Sequence, residues 1–263
     1  MAPTVLITGA SQGTGKATAL LFAQNGYDVV LTARNAERLN AVAQNVEATG
    51  QRALASPADV GDAQQVNALA EKAIAFAGSI DVLVNNAGIC LTGPAEKTTL
   101  EDWNQILNTN LWGYIHTIQA LLPQFLAKGS GAIVNVGSFG GKMPLPYMTA
   151  YCTSKYAITG LTDTLRLELR PKGIHVAAVH PGIINSSFME RAMFRGDDAD
   201  ERRSQMQDAL SSAIASKPED IAKAIWHAVN KGQTETVVGP TAIATEAYRL
   251  LPGVLQWVLQ PSK

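Results

Sequence analysis

The chain has 263 residues and a mass of 27.9 kDa, which is enough for one large α/β domain with a substantial core. Its net charge of −1 gives no basic field for nucleic acid, and its two cysteines are too few for a disulfide framework and lack a zinc-site spacing. The first residues lack the basic region of a signal peptide and no uncharged apolar run is long enough to span a membrane, so we expect a cytoplasmic protein without an integral membrane segment.

Short apolar runs alternate with helical patterns along the chain. Strands are predicted at residues 5–8, 27–32, 52–56, 81–85, 132–136, 174–180 and near 237–238. Helices are predicted from Gly15 to about residue 25, over 37–49, 63–76, 100–127 and 218–230, and around Tyr151 and Lys155. This alternation predicts an α/β fold of the doubly wound, Rossmann-like type, with a mostly parallel sheet of about seven strands and helices on both faces. No linker or repeat divides the chain, so residues 1–263 are expected to form a single domain.

A glycine-rich turn follows the first predicted strand. Gly9, Gly13 and Gly15 would let the backbone turn tightly and approach a pyrophosphate, with the N–H groups of the next helix pointing at it. A purely structural turn is the alternative. The P-loop pattern fails twice, because Ala10 replaces its first glycine and Ala17 its serine or threonine.

Tyr151 and Lys155 are four residues apart on a predicted helix and therefore share one face. A phenol has an ordinary pKa of about 10, and a neighbouring cation lowers that pKa. The pair is a candidate proton donor and acceptor, although the spacing alone also fits a plain surface pair. Ser138 lies thirteen residues before Tyr151 and lacks the G-x-S-x-G spacing of a hydrolase nucleophile.

Taken in order, these motifs resemble the short-chain dehydrogenase/reductase family over residues 4–240. The resemblance implies a catalytic set of four residues, namely Asn110, Ser138, Tyr151 and Lys155. Tyr151 would exchange a proton with the substrate oxygen, while Lys155 would lower the pKa of Tyr151 and bind the nicotinamide ribose. Ser138 would hold the substrate oxygen and Asn110 would fix a water on the proton path. The alternatives are a strand-end cap at Ser138 and a mid-helix Asn110 bonded to its own backbone.

The end of the second predicted strand bears on the choice of cofactor. NAD enzymes usually offer an acid to the adenosine ribose there, whereas NADP enzymes offer an arginine to the 2′-phosphate. Ala33 replaces the acid and Arg34 follows, so we predict NADP(H), with NAD(H) and a plain surface arginine as the alternatives. No metal site is predicted. The cofactor-binding residues implied by the resemblance are Gly9, Ser11, Gln12, Gly13, Thr14, Gly15, Arg34, Asp59, Val60, Asn86, Ala87, Gly88, Tyr151, Lys155, Pro181, Gly182, Ile184 and Ser186.

Two further segments bear on the substrate and on assembly. Residues 183–215 lie where the family keeps its substrate lid. They carry four arginines among acidic residues, namely Arg191, Arg195, Arg202 and Arg203, a pattern that favours a solvated mixed-charge helix over a carboxylate site. The apolar C-terminal segment, 247–260, is expected to pack against protein, with membrane-surface contact as the alternative. The resemblance implies a homodimer or homotetramer.

The hypothesis from the sequence is an NADP-dependent carbonyl reductase or alcohol dehydrogenase that transfers a hydride reversibly. A 3-oxoacyl thioester is the first substrate to test, because such reductases are common in the family. The alternative is a non-catalytic NADP-binding or redox-sensing protein on the same fold. The presence of Ser138, Tyr151 and Lys155 together favours the enzyme.

Overall fold

The structure is a computed structural model that describes residues 2–212 and 214–258, so the predicted extents 1–263, 183–215 and 247–260 each include residues outside it. The described strands are β1 (Thr4–Thr8), β2 (Asp28–Thr32), β3 (Ala53–Ala55), β4 (Val82–Asn85), β5 (Cys90–Thr92), β6 (Gly131–Val136), β7 (Ile174–Pro181), β8 (Ala192–Phe194) and β9 (Glu235–Val238). The described α-helices are α1 (Gly13–Gln24), α2 (Ala36–Glu47), α3 (Ala63–Ala77), α4 (Leu100–Leu107), α5 (Gly113–Lys128), α6 (Thr149–Leu169), α7 (Ala199–Ser211), α8 (Pro218–Asn230), α9 (Thr241–Leu250) and α10 (Pro252–Val258).

Seven of these strands form one sheet in the order β3-β2-β1-β4-β6-β7-β9, and every neighbouring pair is parallel. The strand order runs outward in both directions from β1 and β4. In doubly wound sheets, ligands bind in the crevice at the carboxyl ends of the strands beside such a switch point. The predicted fold class is therefore confirmed, and the ends of β1, β4 and β6 are where a ligand site is expected.

Apolar side chains fill both faces of the sheet. Successive strand residues point to opposite faces. Val5 and Ile7 of β1 accordingly pack in one cluster with Phe22 of α1. Leu6, between them in the sequence, packs in a second cluster with Ile118 of α5. Strands buried on both faces give continuous apolar runs in the sequence, which is why the strand positions could be predicted.

The helical region predicted at 100–127 consists of two α-helices, α4 and α5, separated by a turn that is not α-helical. A π-helical turn over Asn108–Trp112 joins α4 to α5. Such turns are rare and frequently occur at functional sites. This one places Asn110 in the interior, where the residue is fully buried.

β5 and β8 form a separate two-stranded parallel sheet that the sequence analysis did not predict. The register pairs Cys90 with Ala192 and Thr92 with Phe194. Each strand has three residues, too few to show a period of two. The pairing attaches the lid to the chain directly after Gly88 and Ile89.

Several large apolar side chains in the described part of the C-terminal segment are exposed, and its packing against protein stays a prediction. The exposed side chains there belong to Leu250, Leu251, Val254, Trp257 and Val258, of which Trp257 is 74% exposed. Leu259 and Gln260 lie outside the described residues. None of the helices in the described ranges is long and apolar enough to cross a membrane.

Candidate active site

The glycine-rich turn connects β1 to α1 at the switch point of the sheet. Gly9 and Gly13 have positive φ angles of 64° and 52°, which favour glycine. A Cβ at Gly15 would overlap the carbonyl oxygen of Gly9. The N-terminus of α1 has no side-chain cap and no acidic residue in its first turn, so its N–H groups are available to an anion.

Asn86 and Ala87 attach the end of β4 to this turn. The backbone N–H groups of both residues donate to Thr8 Oγ1, at 2.9 and 3.0 Å. The side-chain amide of Asn86 donates to the carbonyl oxygens of Thr8 at 3.0 Å and Gly9 at 3.3 Å. These bonds give Asn86 and Ala87 a structural role in holding the glycine turn in place.

A buried polar network lies behind this crevice, and none of its residues is among the predicted site residues. Asn85 donates to Asn135 Oδ1 at 3.0 Å and accepts from the Thr117 hydroxyl at 2.6 Å. Asn135 in turn donates to Thr162 Oγ1 at 2.9 Å. The network connects β4, β6, α5 and α6. An asparagine within an apolar strand is a sequence signal that could have identified Asn135 as part of it.

Ser138 and Tyr151 reach the crevice from β6 and α6. Ser138 follows directly after β6 and Gly137, and its Oγ accepts from the Gly140 N–H at 3.1 Å, so it also caps the short turn that follows. Tyr151 lies in the first turn of α6 and is 7% exposed. Burial raises the pKa of Tyr151 above its ordinary value, as do nearby Cys90 and Cys152, while the Ser138 hydroxyl and the Arg191 guanidinium lower it.

Lys155 is buried one turn after Tyr151. Its Nζ donates to the carbonyl oxygen of Val136 at 3.1 Å and lies 5.5 Å from the ring centre of Tyr114 and 5.9 Å from that of Tyr151. Burial lowers the pKa of Lys155 to about 8. Over the described ranges, Lys155 has no carboxylate partner.

Burial and the neighbouring groups give a net rise in the Tyr151 pKa, and a lowering contribution from Lys155 stays a prediction. The two residues share a face of α6, as the spacing predicts. However, the same burial that brings them together raises the pKa of the phenol and lowers that of the ammonium. Sequence spacing carries no information about this burial.

Asn110 uses its side chain to hold the backbone after β4. Its Oδ1 accepts from the Ile89 N–H and its Nδ2 donates to the Ile89 carbonyl, both at 2.9 Å. Nδ2 also contacts Ser154 Oγ at 3.1 Å, and Ser154 donates to the carbonyl of Tyr151 at 2.6 Å. Asn110 thus connects the loop at Ile89 to the helix that carries Tyr151. The alternative of an Asn110 bonded only to its own helix is not what the structure shows.

One cavity of about 440 Å³ brings together most of the predicted residues. Its predicted lining residues are Gln12, Thr14, Asn86, Gly88, Ser138, Tyr151, Lys155, Pro181, Gly182, Ile184 and Ser186. Apolar side chains line much of the rest, including Leu145, Met148, Phe188, Met206 and Leu210, together with the polar Thr92, Arg191, Arg202 and Gln205. The predicted residues outside the lining are Gly9, Ser11, Gly13, Gly15, Arg34, Asp59, Val60, Ala87 and Asn110. A polar reactive end and an apolar remainder suit a small substrate with an apolar part.

The far end of the groove, beyond the glycine turn, is exposed. Arg34 follows β2 and its side chain is open to solvent. Asp59 accepts from the Gly61 N–H at 2.9 Å, and Val60 is buried against Val66 and Ala87. Two exposed arginines follow β2 there, Arg34 before α2 and Arg38 in its first turn.

Arg38 is a basic residue at this end that the sequence analysis missed. It lies four residues after Arg34 in α2, and its Nη1 donates to Glu190 Oε2 at 2.7 Å and to the side-chain oxygen of Gln12. Glu190 belongs to the lid, so the lid reaches across the groove at this point. A second arginine so soon after Arg34, in the first turn of the helix that follows β2, is a signal that could have identified Arg38.

The lid arginines differ from one another. Arg195 binds Asp102 at 2.6 Å and Arg202 binds Asp198 at 3.1 Å, as expected of a mixed-charge surface. Arg191 and Arg202 both line the cavity, and Arg191 donates to the carbonyl oxygen of Gly88 at 3.3 Å. Among the described residues, Arg191 differs from Arg195 and Arg202 in having no carboxylate partner.

The residues around the groove fit a nicotinamide dinucleotide. The uncapped N-terminus of α1 suits a diphosphate. In addition, Ser187 Oγ, Arg191 Nε and Thr241 Oγ1 are buried without a hydrogen-bond partner in the structure, and all three lie on or beside the lid. No cluster of three or more His, Cys, Asp or Glu side chains suited to a metal occurs in the described part of the chain.

Comparison with known proteins agrees with this site. The sequence profile described as short chain dehydrogenase matches residues 3–197, and the chain belongs to the short-chain dehydrogenase/reductase family. It is therefore an oxidoreductase of that family. The chain is 35% identical over 226 residues to the 3-oxoacyl-[acyl-carrier-protein] reductase FabG of Staphylococcus aureus. The matched region covers 86% of this chain and 89% of that protein.

Solved structures of relatives include complexes with both nicotinamide cofactors. A short-chain dehydrogenase/reductase from Burkholderia phymatum in complex with NAD has a TM-score of 0.89 and 25% identity, over 100% of this chain and 97% of that one. A metagenomic short-chain oxidoreductase in complex with NADP has a TM-score of 0.74 and 30% identity, over 90% of this chain and 96% of that one. The fold binds nicotinamide cofactors in these relatives, and they do not distinguish NAD from NADP for this chain.

Proposed function

We propose that the protein is an NADP(H)-dependent carbonyl reductase that also catalyses the reverse oxidation of a secondary alcohol. The observation that supports this most directly is the placement of Ser138, Tyr151 and Lys155 around one cavity next to the uncapped N-terminus of α1. A carbonyl that accepts a hydride needs a polarising donor and a proton source at the same oxygen. The bound cofactor would supply or accept that hydride at its nicotinamide ring.

Tyr151 is the proposed proton donor. Near neutral pH the phenol of Tyr151 is protonated, as the proton donor to a carbonyl must be. Ser138 would hold the carbonyl oxygen through its hydroxyl. The ammonium of Lys155 would bind the nicotinamide ribose and favour the phenolate left after proton transfer.

Asn110 is proposed to act by positioning. Its amide fixes Ile89 and, through Ser154, the backbone of Tyr151. One lone pair of Oδ1 is left for the water that the family resemblance implies. The proton path through such a water belongs to this proposal.

The proposed cofactor preference rests on Arg34 and Arg38. Arg38 contacts Gln12 of the glycine turn, and Arg34 precedes Arg38 by four residues. We propose that both guanidinium groups reach the adenosine end of the groove, where the 2′-phosphate of NADP would add negative charge. The remaining proposed cofactor-binding residues are the glycine-turn group Gly9 to Gly15, then Asp59, Val60, Asn86, Ala87, Gly88, Pro181, Gly182, Ile184 and Ser186. For the substrate we propose a 3-oxoacyl thioester, supported by the identity to FabG and by the apolar remainder of the cavity.

Assembly is proposed to use the long helices α5 and α6. Large apolar side chains are exposed on and beside them, including Trp112, Leu126, Tyr156 and Leu167, the last 77% exposed. Such a surface favours a homodimer or homotetramer. We also propose a cytoplasmic location, because Cys90 and Cys152 are both free thiols.

The function can be tested by NADPH oxidation at 340 nm with ketones and 3-oxoacyl thioesters of increasing chain length. We expect the wild type to exceed Tyr151→Phe by about 10²–10⁴-fold on its best substrate. Ser138→Ala should fall in the same range, while both variants keep NADPH affinity near that of the wild type. A wild type that binds NADPH but is no faster than Tyr151→Phe on every substrate would favour the non-catalytic alternative.

A further inference from the structure

Arg191 is a half-buried arginine that has no carboxylate partner among the described residues. Its Nη1 has one long hydrogen bond, to the Gly88 carbonyl at 3.3 Å, and its Nε is buried without a partner in the structure. Phe188 packs near the guanidinium, with its ring centre 6.0 Å from Cζ. A guanidinium has five N–H donors, so most of the donor capacity of Arg191 is not used by the described residues.

The charge of Arg191 is also uncompensated by an ion pair. Burial lowers the pKa of Arg191, although the group remains a cation at any physiological pH. Arg195 and Arg202, on the same lid, each have a carboxylate partner. Glu190, the neighbour of Arg191 in the chain, directs its carboxylate to Arg38 instead. Burying an unpaired charge is costly, so a site that keeps one is suited to an anionic ligand.

The lid segment around Arg191 lies along the groove rather than over the apolar part of the cavity alone. Ser186 and Ser187 lie beside Gly13, where a Cβ on the glycine would be 3.6 and 3.8 Å from their side chains. Glu190 reaches Arg38 and Arg191 reaches Gly88. Residues 186–191 therefore follow the line from the glycine turn to the end of β4, which is the path proposed for the dinucleotide.

Ser187 adds a second unsatisfied group on the same segment. Its Oγ is buried and has no hydrogen-bond partner in the structure. Ser187 and Arg191 both belong to one short 3₁₀ helix, Ser187–Arg191. Ser187 Oγ and Arg191 Nε are thus two buried donors without acceptors, on a segment beside the glycine turn and Gly88. An anion with several oxygen atoms could accept hydrogen bonds from both.

We propose that Arg191, together with Ser187, binds the diphosphate of the nicotinamide dinucleotide from the lid side of the groove. This rests on the proposed function. The N-terminus of α1 would bind the same anion from the other side, so the diphosphate would connect the lid to the sheet. Arginine suits this task because its planar group binds phosphate oxygens in pairs. Arg191 would exchange its single bond to Gly88 for bonds to the phosphates.

The test is a direct binding measurement by isothermal titration calorimetry, with NADPH, NADH and ADP-ribose as ligands. ADP-ribose keeps the diphosphate but has no nicotinamide. Arg191→Met should lower the affinity for all three ligands by a similar factor of about tenfold or more. The substitution removes the charge-assisted hydrogen bonds but keeps an apolar side chain. Arg191→Lys should recover part of the affinity. Arg203→Met, which removes an exposed lid arginine beside Phe194, is the matched control and should stay within about twofold of the wild type.

Ser187→Ala tests the same site without removing charge, and should weaken ADP-ribose by a few-fold, about the effect of one hydrogen bond. Unchanged affinity for ADP-ribose and NADPH in a folded Arg191→Met would overturn the proposal. An effect confined to the KM of a carboxylate-bearing substrate would also overturn it and assign Arg191 to the substrate. A wild type that binds neither NADPH nor NADH would instead contradict the proposed function.

Discussion

The two ends of the groove differ most in their exposure to water. At the adenosine end, Arg38 and Glu190 form an ion pair in which each side chain is 51% exposed. At the catalytic end, Tyr151 and Lys155 are 7% and 4% exposed. Charges in water interact weakly, whereas the same charges in a buried site interact strongly and shift one another's pKa. Substitutions at the catalytic end should therefore change the chemistry, and substitutions at the adenosine end should change affinity by modest factors.

Lys155→Met should have the largest effect of the changes considered. It removes the ammonium while retaining a side chain of similar length, and we expect kcat/KM with NADPH to fall by about 10²–10⁴-fold. NADPH affinity should fall as well, because Lys155 is proposed to bind the ribose. Steady-state kinetics and calorimetry on the same preparation measure both. Full activity in this variant would contradict the role of the buried cation.

The pKa of Lys155, lowered to about 8, also predicts two opposite responses to pH. NADPH affinity of the wild type should fall as the pH rises through about 8, because the ammonium loses its charge. The contribution of Lys155 to the stability of the cofactor-free protein has the other sign. Between about 8 and its ordinary pKa of 10.5, the unfolded chain binds more protons than the folded one, so this contribution rises with pH. Neither change should occur in Lys155→Met.

Gly15→Ala acts at the turn that joins the two ends. A methyl group there would overlap the Gly9 carbonyl, so the backbone of the turn must shift. We expect the free energy of unfolding to fall by about 1–3 kcal/mol. NADPH binding should fall below detection, because the N–H groups of α1 move away from the phosphates. Gly160→Ala is the comparison variant, since its Cβ position in α6 has open space within this chain. Because α6 is proposed to take part in assembly, the oligomeric state of this variant is compared with that of the wild type.

Urea unfolding and calorimetry of these two variants provide the measurement. In a helix interior, alanine is favoured over glycine by about 0.8–1 kcal/mol, so Gly160→Ala should be slightly more stable than the wild type. If both variants behaved alike, the close approach of Gly15 and Gly9 would not be needed for binding.

The difference between the two ends also explains what the sequence could predict. The strands and the glycine turn follow from local patterns, because apolar runs and glycine positions are visible over a few residues. The contacts of Glu190 with Arg38 and of Arg191 with Gly88 join residues more than 100 positions apart, and nothing in the local pattern indicates them. The raised pKa of Tyr151 likewise depends on burial by distant elements and not on its spacing from Lys155.

Arg34→Asp tests the adenosine end by charge reversal. If Arg34 binds the 2′-phosphate, the ratio of NADPH affinity to NADH affinity should fall by about tenfold or more, the effect expected for a hydrogen bond to a charged group. kcat with saturating cofactor should change little, because the catalytic end is untouched. Arg170→Asp, an exposed arginine at the end of α6, controls for the change in net charge. A ratio that stays the same in Arg34→Asp would show that NADP preference does not depend on this residue.

Glu190→Gln should have the smallest effect and the opposite direction. The Glu190 carboxylate accepts a hydrogen bond from the Arg38 guanidinium. The proposed 2′-phosphate would compete with this carboxylate for the same guanidinium. Exposed ion pairs contribute about 0–1 kcal/mol, so releasing Arg38 should tighten NADPH binding by no more than about fivefold. NADH has no 2′-phosphate, and its affinity should not change. Glu201→Gln removes an exposed lid carboxylate on α7 and provides the control.

The two cofactors together distinguish competition from a mechanical effect of the lid. If the pair between Glu190 and Arg38 mainly holds the lid closed, its loss should change the affinities for NADPH and NADH by the same factor, because both must pass the lid. If Glu190 competes with the phosphate, only NADPH should respond, and added salt should reduce the difference because both charges are exposed. We expect Glu190→Gln to have a much smaller effect than Lys155→Met. The charges of Glu190 and Arg38 interact in water at one end of the groove, whereas the charge of Lys155 acts in a buried site at the other end.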